Sequence, residues 1–237
     1  AIMAPEYLRP MPSPAPASER TIRIVWLNTW MGSRPSEEVL QYLVTSGADF
    51  LLVSELHDEG QEGFRRLRAA YPTMIRCEGG HECNTMIFAR RPALTQTTSN
   101  GLRASVGEFD IDGARLRLVA AHVARPNPPA RQQREFEALI ETIGDAPQDV
   151  ILAGDFNSTP WSFALGRFDA AIALERHTRA LPTWPAQEWT RLYLPAIVPF
   201  LPIDHVYSGS GWRLVALRRG PRTSSDHYPI EATFVAE

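Results

Sequence analysis

Eight polar residues of this chain sit where apolar runs begin or end. Asn28 follows IRIVWL, Glu55 follows FLLVS, His122 follows LRLVAA, and Asp155 and Asn157 follow VILAG. Asp204 opens IDHVYSG, and Asp226 with His227 directly precedes YPIEATFV. Such groups are expensive to bury unpaired. If the strand ends lie side by side, the eight converge on one cleft. Their hard oxygen ligands suit Mg²⁺, Mn²⁺ or Ca²⁺, and the imidazoles can move protons. Any one of them alone reads as a cap or turn residue; the joint pattern carries the chemistry.

The elements that must position these groups alternate between strand and helix. TIRIVWLN (21–28), DFLLVSEL (49–56) and NTMIFAR (84–90) read as buried strands. PSEEVLQYLVTSG has Val39, Leu40, Leu43 and Val44 on one helical face, acids in its first turn and Gly47 at its end. Residues 59–70 read as a second short helix. EFDIDGARLRLVAAHV (108–123) is a hairpin turning at Asp112-Gly113, and 128–144 is a helix with Pro at its start and Gly at its end. DVILAGDFN, 203–209, 212–219 and 228–235 complete the strands. Buried strands mixed with a hairpin and helices imply an α/β protein with mixed sheets.

Composition narrows the chemistry. The chain has 237 residues, 44% hydrophobic and 22% charged, with a formal net charge of -3. That disfavours a strongly basic nucleic-acid arm. All 24 basic residues are Arg, so no Schiff-base, P-loop or Ser-Lys chemistry is open to it. No G-x-S-x-G elbow marks a Ser-His-Asp hydrolase. No run of about 18 apolar residues spans a membrane. Residues 1–20 carry Pro5, Pro10, Pro12, Pro14 and Pro16 and read as a linker or tail, with the functional domain at 21–237.

The ordered set LN, SEL, AHV, GDFN, IDHV and SDHYPI resembles the endonuclease/exonuclease/phosphatase superfamily, which includes DNase I, over about residues 21–237. GDFNSTPWS, LPTWP and PIDHVYS together look like a bacterial subgroup, many of whose members carry N-terminal membrane helices. The resemblance implies a four-layer sandwich: two mixed β-sheets packed face to face, with helices outside. It implies that Asn28 and Glu55 hold a divalent metal, Mg²⁺ or Mn²⁺ with Ca²⁺ as a further choice, with Asp226 nearby. Asp155 and Asn157 would orient the attacking water and a phosphoryl oxygen. His227, paired with Asp204, would be general base or transition-state donor, and His122 a second catalytic His. Two departures stand out: Ser54 replaces the usual Gln before the metal acid, and the acidic partner expected for His122 has no clear match.

The expected function is therefore a divalent-metal-dependent phosphoesterase cleaving phosphodiesters by in-line attack of water. Its substrate stays open among nucleic acid, phospholipid headgroup and small metabolite. The rival is a non-catalytic module retaining the fold. His57, His81 and His177 read as loop residues, and His205, adjacent to Asp204 on a strand, points to the opposite face. Trp161 and Trp184 line the cleft or its packing. Arg125, Arg131 and Arg134 read as a solvated helix face. Cys77 and Cys83, six positions apart around Gly79-Gly80, are expected to form a disulfide. With the Pro-rich start, this points to an extracytoplasmic, periplasmic domain tethered to a membrane. A monomer is favoured over an oligomer.

Overall fold

A computed structural model describes residues 6, 8, 12, 19–30, 36–57, 60–77, 83–98, 103–186 and 198–237. The first sheet holds β1 (Thr21–Asn28), β2 (Phe50–Ser54), β3 (Thr73–Arg76), β4 (Thr85–Ala89), β11 (Trp212–Arg219) and β12 (Ile230–Ala236), in the order β11-β12-β1-β2-β4-β3. The second holds β5 (Thr95–Thr98), β6 (Ala104–Ile111), β7 (Ala114–His122), β8 (Val150–Asp155), β9 (Glu175–Arg176) and β10 (Asp204–Ser208), in the order β5-β6-β7-β8-β10-β9. Each sheet has one parallel pair, β1 with β2 and β7 with β8, and is otherwise antiparallel.

The sheets face each other across a core containing Trp26, Phe50, Phe109, Leu118, Ile151 and Phe234. Alternate residues of the same strands point outward. On the first sheet Val25, Leu27, Leu51 and Val53 pack under α1 (Glu37–Thr45) and α2 (Glu62–Ala70). On the second, Val119, Ala121 and Leu152 pack under α3 (Pro129–Ile143) and α4 (Phe163–Ala171). Strands buried on both faces must be apolar at nearly every position, which is why they read as runs rather than alternations. The four-layer sandwich expected from the sequence is the observed fold.

Local chemistry explains the joints. Ser36 Oγ accepts from Val39 N–H and Ser162 Oγ from Leu165 N–H, capping α1 and α4. Asp112 and Gly113 both have positive φ, 57° and 95°, as a two-residue hairpin turn requires. At Gly154 a Cβ would lie 2.4 Å from Ala121 O, so β8 can approach β7 only without a side chain there. The hairpin begins four residues earlier than its 108–123 pattern suggests, because β6 starts at Ala104. Most of the 1–20 segment lies outside the described residues. Within it, Glu6 is buried and accepts two bonds from Arg176, Nη1 at 2.9 Å and Nη2 at 2.8 Å. Among the described residues no helix is long and apolar enough to cross a membrane.

Candidate active site

The register brings the strand ends together. Asn28 pairs with Ser54 across β1 and β2, and Ser54 with Thr85 across β2 and β4. On the opposite sheet His122 pairs with Asp155, and Asp155 with Asp204. Both rows open at the same end of the sandwich. Asn28 Nδ2 donates to Glu55 Oε1 at 3.1 Å and, across the sheets, to Asp155 Oδ2 at 3.2 Å.

Two turns aim the acids. Glu55 (φ 61°) and Asn157 (φ 46°) both adopt the left-handed conformation just past their strands. Such residues cost of order 1 kcal/mol or more and persist where the surroundings hold them. Glu55 N–H donates to Asn84 O at 2.8 Å. Asn157 N–H donates to Asp155 Oδ1 at 2.8 Å, and its Nδ2 donates to Val123 O at 2.9 Å. Gln132, reaching down from α3, donates to Ala124 O at 2.8 Å and lies 3.4 Å from Phe156 O and Asn157 O, tying the two loops together.

His227 is held at both ends of its backbone and ring. Its N–H donates to Ser225 Oγ at 3.0 Å, and Ser225 Oγ donates to Asn28 O at 2.6 Å. Its Nδ1 donates to Asp204 Oδ2 at 2.8 Å. Asp204 accepts as well from Trp26 Nε1 (2.8 Å) and Thr183 Oγ1 (2.5 Å). Burial opposes the charge on His227, but Asp204, Asp155 and Asp226 outweigh it and lift the imidazole from 6.5 to about 10. Burial likewise opposes the charge on Asp204, yet His227 and the two other donors, Thr183 and Trp26, hold its carboxyl below the usual range. His227 Nε2 is left facing Asp155 Oδ2 at 3.8 Å and Asp226 Oδ1 at 4.0 Å.

His122 is the neutral counterpart. Its Nδ1 lies 3.1 Å from Asn84 Oδ1, an acceptor, so the ring proton sits on Nδ1. Nε2 faces Glu55 Oε1 and Asp155 Oδ2, both at 3.7 Å. Burial pushes this imidazole down to about 4 against the pull of Glu55, with Arg103 adding to the push. Burial pushes Asp155 up to about 7, the negative Asp204 adding to it and His227 acting against it. Asp226 is raised as well, by burial first and then by Glu55 and Asp204.

Glu55 and Asp226 offer the hard carboxylate oxygens that a divalent cation takes. Asp226 Oδ2 accepts from Trp184 Nε1 at 3.0 Å, while Oδ1 is buried with no hydrogen-bond partner among the described residues. Asp155, Asp204 and His227 also present ligand atoms within 4.8 Å of one another. Asp204 is a poor ligand, however, since three donors already occupy its oxygens. Asn28 currently turns its Nδ2 inward and its Oδ1 to Trp30 N–H at 3.0 Å, so ligation by Asn28 requires a half-turn of its amide.

All eight residues singled out in the sequence thus meet at one mouth. Asn84, Trp26, Thr183, Ser225 and Gln132 escaped that reading. Asn84 is the missing partner of His122, an amide where an acid was sought; its signal was its position just before a strand beside the Glu55 strand. Thr183 and Trp184 lie in LPTWP, whose spacing alone says nothing of two carboxylates. His205 faces away as expected, with Thr178 Oγ1 at Nδ1 (2.9 Å) and Ser158 O at Nε2 (2.8 Å). His57 is exposed, and His81 lies outside the described residues. His177 is more than a loop residue: its Nε2 meets Ser208 Oγ at 2.8 Å and its ring packs on Phe234. Arg125 and Arg134 are exposed, whereas Arg131 donates to Glu135 at 3.1 Å. The expected Cys77–Cys83 disulfide is present, with Cα atoms 5.6 Å apart.

Two facing mixed sheets with carboxylates, amides and imidazoles at one end define a phosphoesterase-type sandwich. The sequence profile of the Endonuclease/Exonuclease/phosphatase family matches residues 25–227, and the chain belongs to that family. No curated protein matches it in sequence. Solved structures share the fold. A functionally unknown conserved protein from Enterococcus faecalis V583 aligns with a TM-score of 0.69 at 15% identity, over 91% of this chain and 100% of that one. An endonuclease/exonuclease/phosphatase family protein from Bacteroides thetaiotaomicron aligns at 0.67 and 15%, over 93% and 99%. D. rerio TDP2, complexed with single strand DNA product, aligns at 0.66 and 16%, over 90% and 98%. Family membership supports phosphoester hydrolysis as the class of reaction.

Proposed function

We propose that the chain is a divalent-metal-dependent phosphodiesterase that hydrolyses its substrate by in-line attack of water. The observation that carries this reading is the presence, in one mouth, of a charged His227 and a buried Asp226 Oδ1 that has no hydrogen-bond partner among the described residues. Glu55, Asp226 and a turned Asn28 would hold Mg²⁺ or Mn²⁺, with Ca²⁺ a harder-to-activate alternative. Such an ion neutralises phosphoryl oxygens and stabilises the leaving alkoxide.

The chain's own residues then divide the work. Asp155, with its pKa near the operating pH and its Oδ1 fixed by Asn157 N–H, takes the proton of the attacking water. His227 Nε2–H, 3.8 Å from Asp155 Oδ2, donates to a nonbridging oxygen as negative charge grows there. Asp204 keeps that imidazole charged and fixes its tautomer. Neutral His122 has no acid behind it and serves to orient the reacting groups through Nε2.

The net charge of -3 favours a small or lipid-borne phosphodiester over duplex DNA. Nucleic acid is the competing substrate, since the similar D. rerio structure carries a single strand DNA product. A non-catalytic module would be expected to have lost part of the set, and the chain retains all of it. The disulfide favours an oxidising, extracytoplasmic setting such as the periplasm. Hydrolysis of bis-p-nitrophenyl phosphate tests the reading. Activity that is abolished by EDTA and restored by Mg²⁺ or Mn²⁺ supports it. Full activity in EDTA refutes the metal assignment.

A further inference from the structure

Asn84 reaches both a proposed metal ligand and a histidine, one on each sheet. Its side-chain Oδ1 meets His122 Nδ1 at 3.1 Å, on the second sheet. Its backbone carbonyl accepts from Glu55 N–H at 2.8 Å, on the first. That second bond matters because Glu55 occupies the left-handed region, φ 61°, which this acceptor helps to hold. The residue before it is Cys83, joined to Cys77 just past β3. The near end of the β3–β4 pair also carries a long bond, Cys77 N–H to Thr85 O at 3.4 Å. Thr85, the residue after Asn84, is pinned to the other sheet by Ser105 Oγ, which donates to Thr85 O at 2.8 Å. Asn84 thus stands between two anchors, a covalent one at Cys83 and a cross-sheet one at Thr85. The opposite arm is anchored differently: Trp26, Thr183 and Ser225 hold Asp204 and His227.

We propose that the Cys77–Cys83 disulfide and Asn84 form a redox-sensitive brace that positions Glu55 and His122, leaving His227 and Asp204 independent of it. Asn84 is a positioning residue, acting through the two groups it holds. Cys83 is half-buried and so open to attack by a thiolate, whereas Cys77 is buried. A dithiol reductant attacks the Cys83 sulfur and displaces the Cys77 thiolate, and its second thiol then resolves the mixed disulfide. The Cys77–Cys83 bond breaks, the two cysteines gain two electrons and two protons, and the reductant leaves as its own disulfide. Released from Cys83, the start of β4 opens locally, and Glu55 and His122 lose their common support.

The brace and its effect on turnover can be tested apart, because only the second rests on the phosphodiesterase reading. Amide hydrogen exchange of Glu55 and His227 is followed by NMR in the oxidised protein, after dithiothreitol, and in the Cys77→Ser/Cys83→Ser variant. Selective loss of protection at Glu55, by about tenfold or more, is expected on reduction and in the variant, with His227 unchanged. Turnover of bis-p-nitrophenyl phosphate should fall, and the Mg²⁺ concentration for half-activity should rise, both reversibly on reoxidation and neither responding to dithiothreitol in the variant. Asn84→Ala removes the His122 bond and keeps the backbone acceptor of Glu55, so with the disulfide intact it should lower turnover while leaving the Mg²⁺ requirement and the Glu55 amide close to those of the oxidised wild type. An unchanged Glu55 amide in protein with two titratable thiols overturns the brace. Equal acceleration at both amides overturns it too, making the disulfide a general staple. Selective acceleration with unaltered turnover and metal requirement overturns the link to positioning. Inactivity of the oxidised protein under every metal defeats the phosphodiesterase reading, while the exchange comparison still decides the brace.

Discussion

The two histidines of the cleft are held in the same way and end in opposite charge states. His122, at the end of β7 in the second sheet, takes its Nδ1 partner Asn84 from the first sheet. His227, in the turn before β12 of the first sheet, takes its Nδ1 partner Asp204 from the second. Both rings are buried, and burial disfavours the imidazolium in each. The carboxylate overcomes that cost at His227, whereas the amide does not at His122. The charge of that partner sets the two apart, with Asp155 and Asp226 adding to it at His227 and Arg103 opposing the imidazolium at His122. The lesson is that equivalent geometry does not confer equivalent chemistry; the charge of the orienting partner does.

The largest break in this comparison should come from the charged arm. His227→Gln and Asp155→Asn are each expected to lower kcat about 10²–10³-fold, whereas His122→Gln should cost about tenfold. Steady-state kinetics on bis-p-nitrophenyl phosphate, with circular dichroism to confirm folding, measures both. Equal losses at the two histidines would refute the division of roles.

Exchanging the partner's charge sharpens the comparison next. Asn84→Asp should raise the His122 pKa from about 4 by two units or more, read from the ring C2 proton by NMR in EDTA. A His122 that stays neutral through pH 6 in this variant would mean burial, not the partner, decides its charge.

Stability should follow the same asymmetry with pH. The folded pKa of His227, about 10, lies above the ordinary 6.5. Its pairing with Asp204 therefore contributes fully below about pH 6.5 and is lost as pH rises through about 10. Asp155 acts in the same direction at lower pH: its folded pKa near 7 means that ionising it in place costs stability as pH rises from 3.8 to about 7. The urea midpoint in EDTA should accordingly fall between pH 7 and 10, and His227→Gln should flatten that fall. A midpoint constant across this window in the wild type would contradict a charged His227.

The smallest effect lies outside both arms. Ser162→Ala removes the cap of α4 and should cost about 1 kcal/mol in urea unfolding, with kcat within twofold of wild type. A large loss of kcat would show that α4 positions the Asp155–Asn157 turn more directly than its contacts suggest.

Much of this molecule can be read from its residues in order. β1 and β11 begin and end where their apolar runs do, and Pro at the start and Gly at the end bound α3 within a residue. β3, β5, β9 and α4 have no such signature. β9 is two residues long and exists through its pairing with β10, and the FALGRFDAA helix lacks a strong apolar face of its own. The eight site residues were legible because polar groups at the ends of buried runs are costly and therefore few. Their partners were not. Asn84, Trp26 and Thr183 are ordinary residue types whose roles depend on side chains 38, 178 and 21 positions away. Sequence order alone determined which groups would line the cleft, because burial acts locally on each run. Which histidine carries charge was decided only in the folded state, because it depends on what the opposite sheet places against each Nδ1.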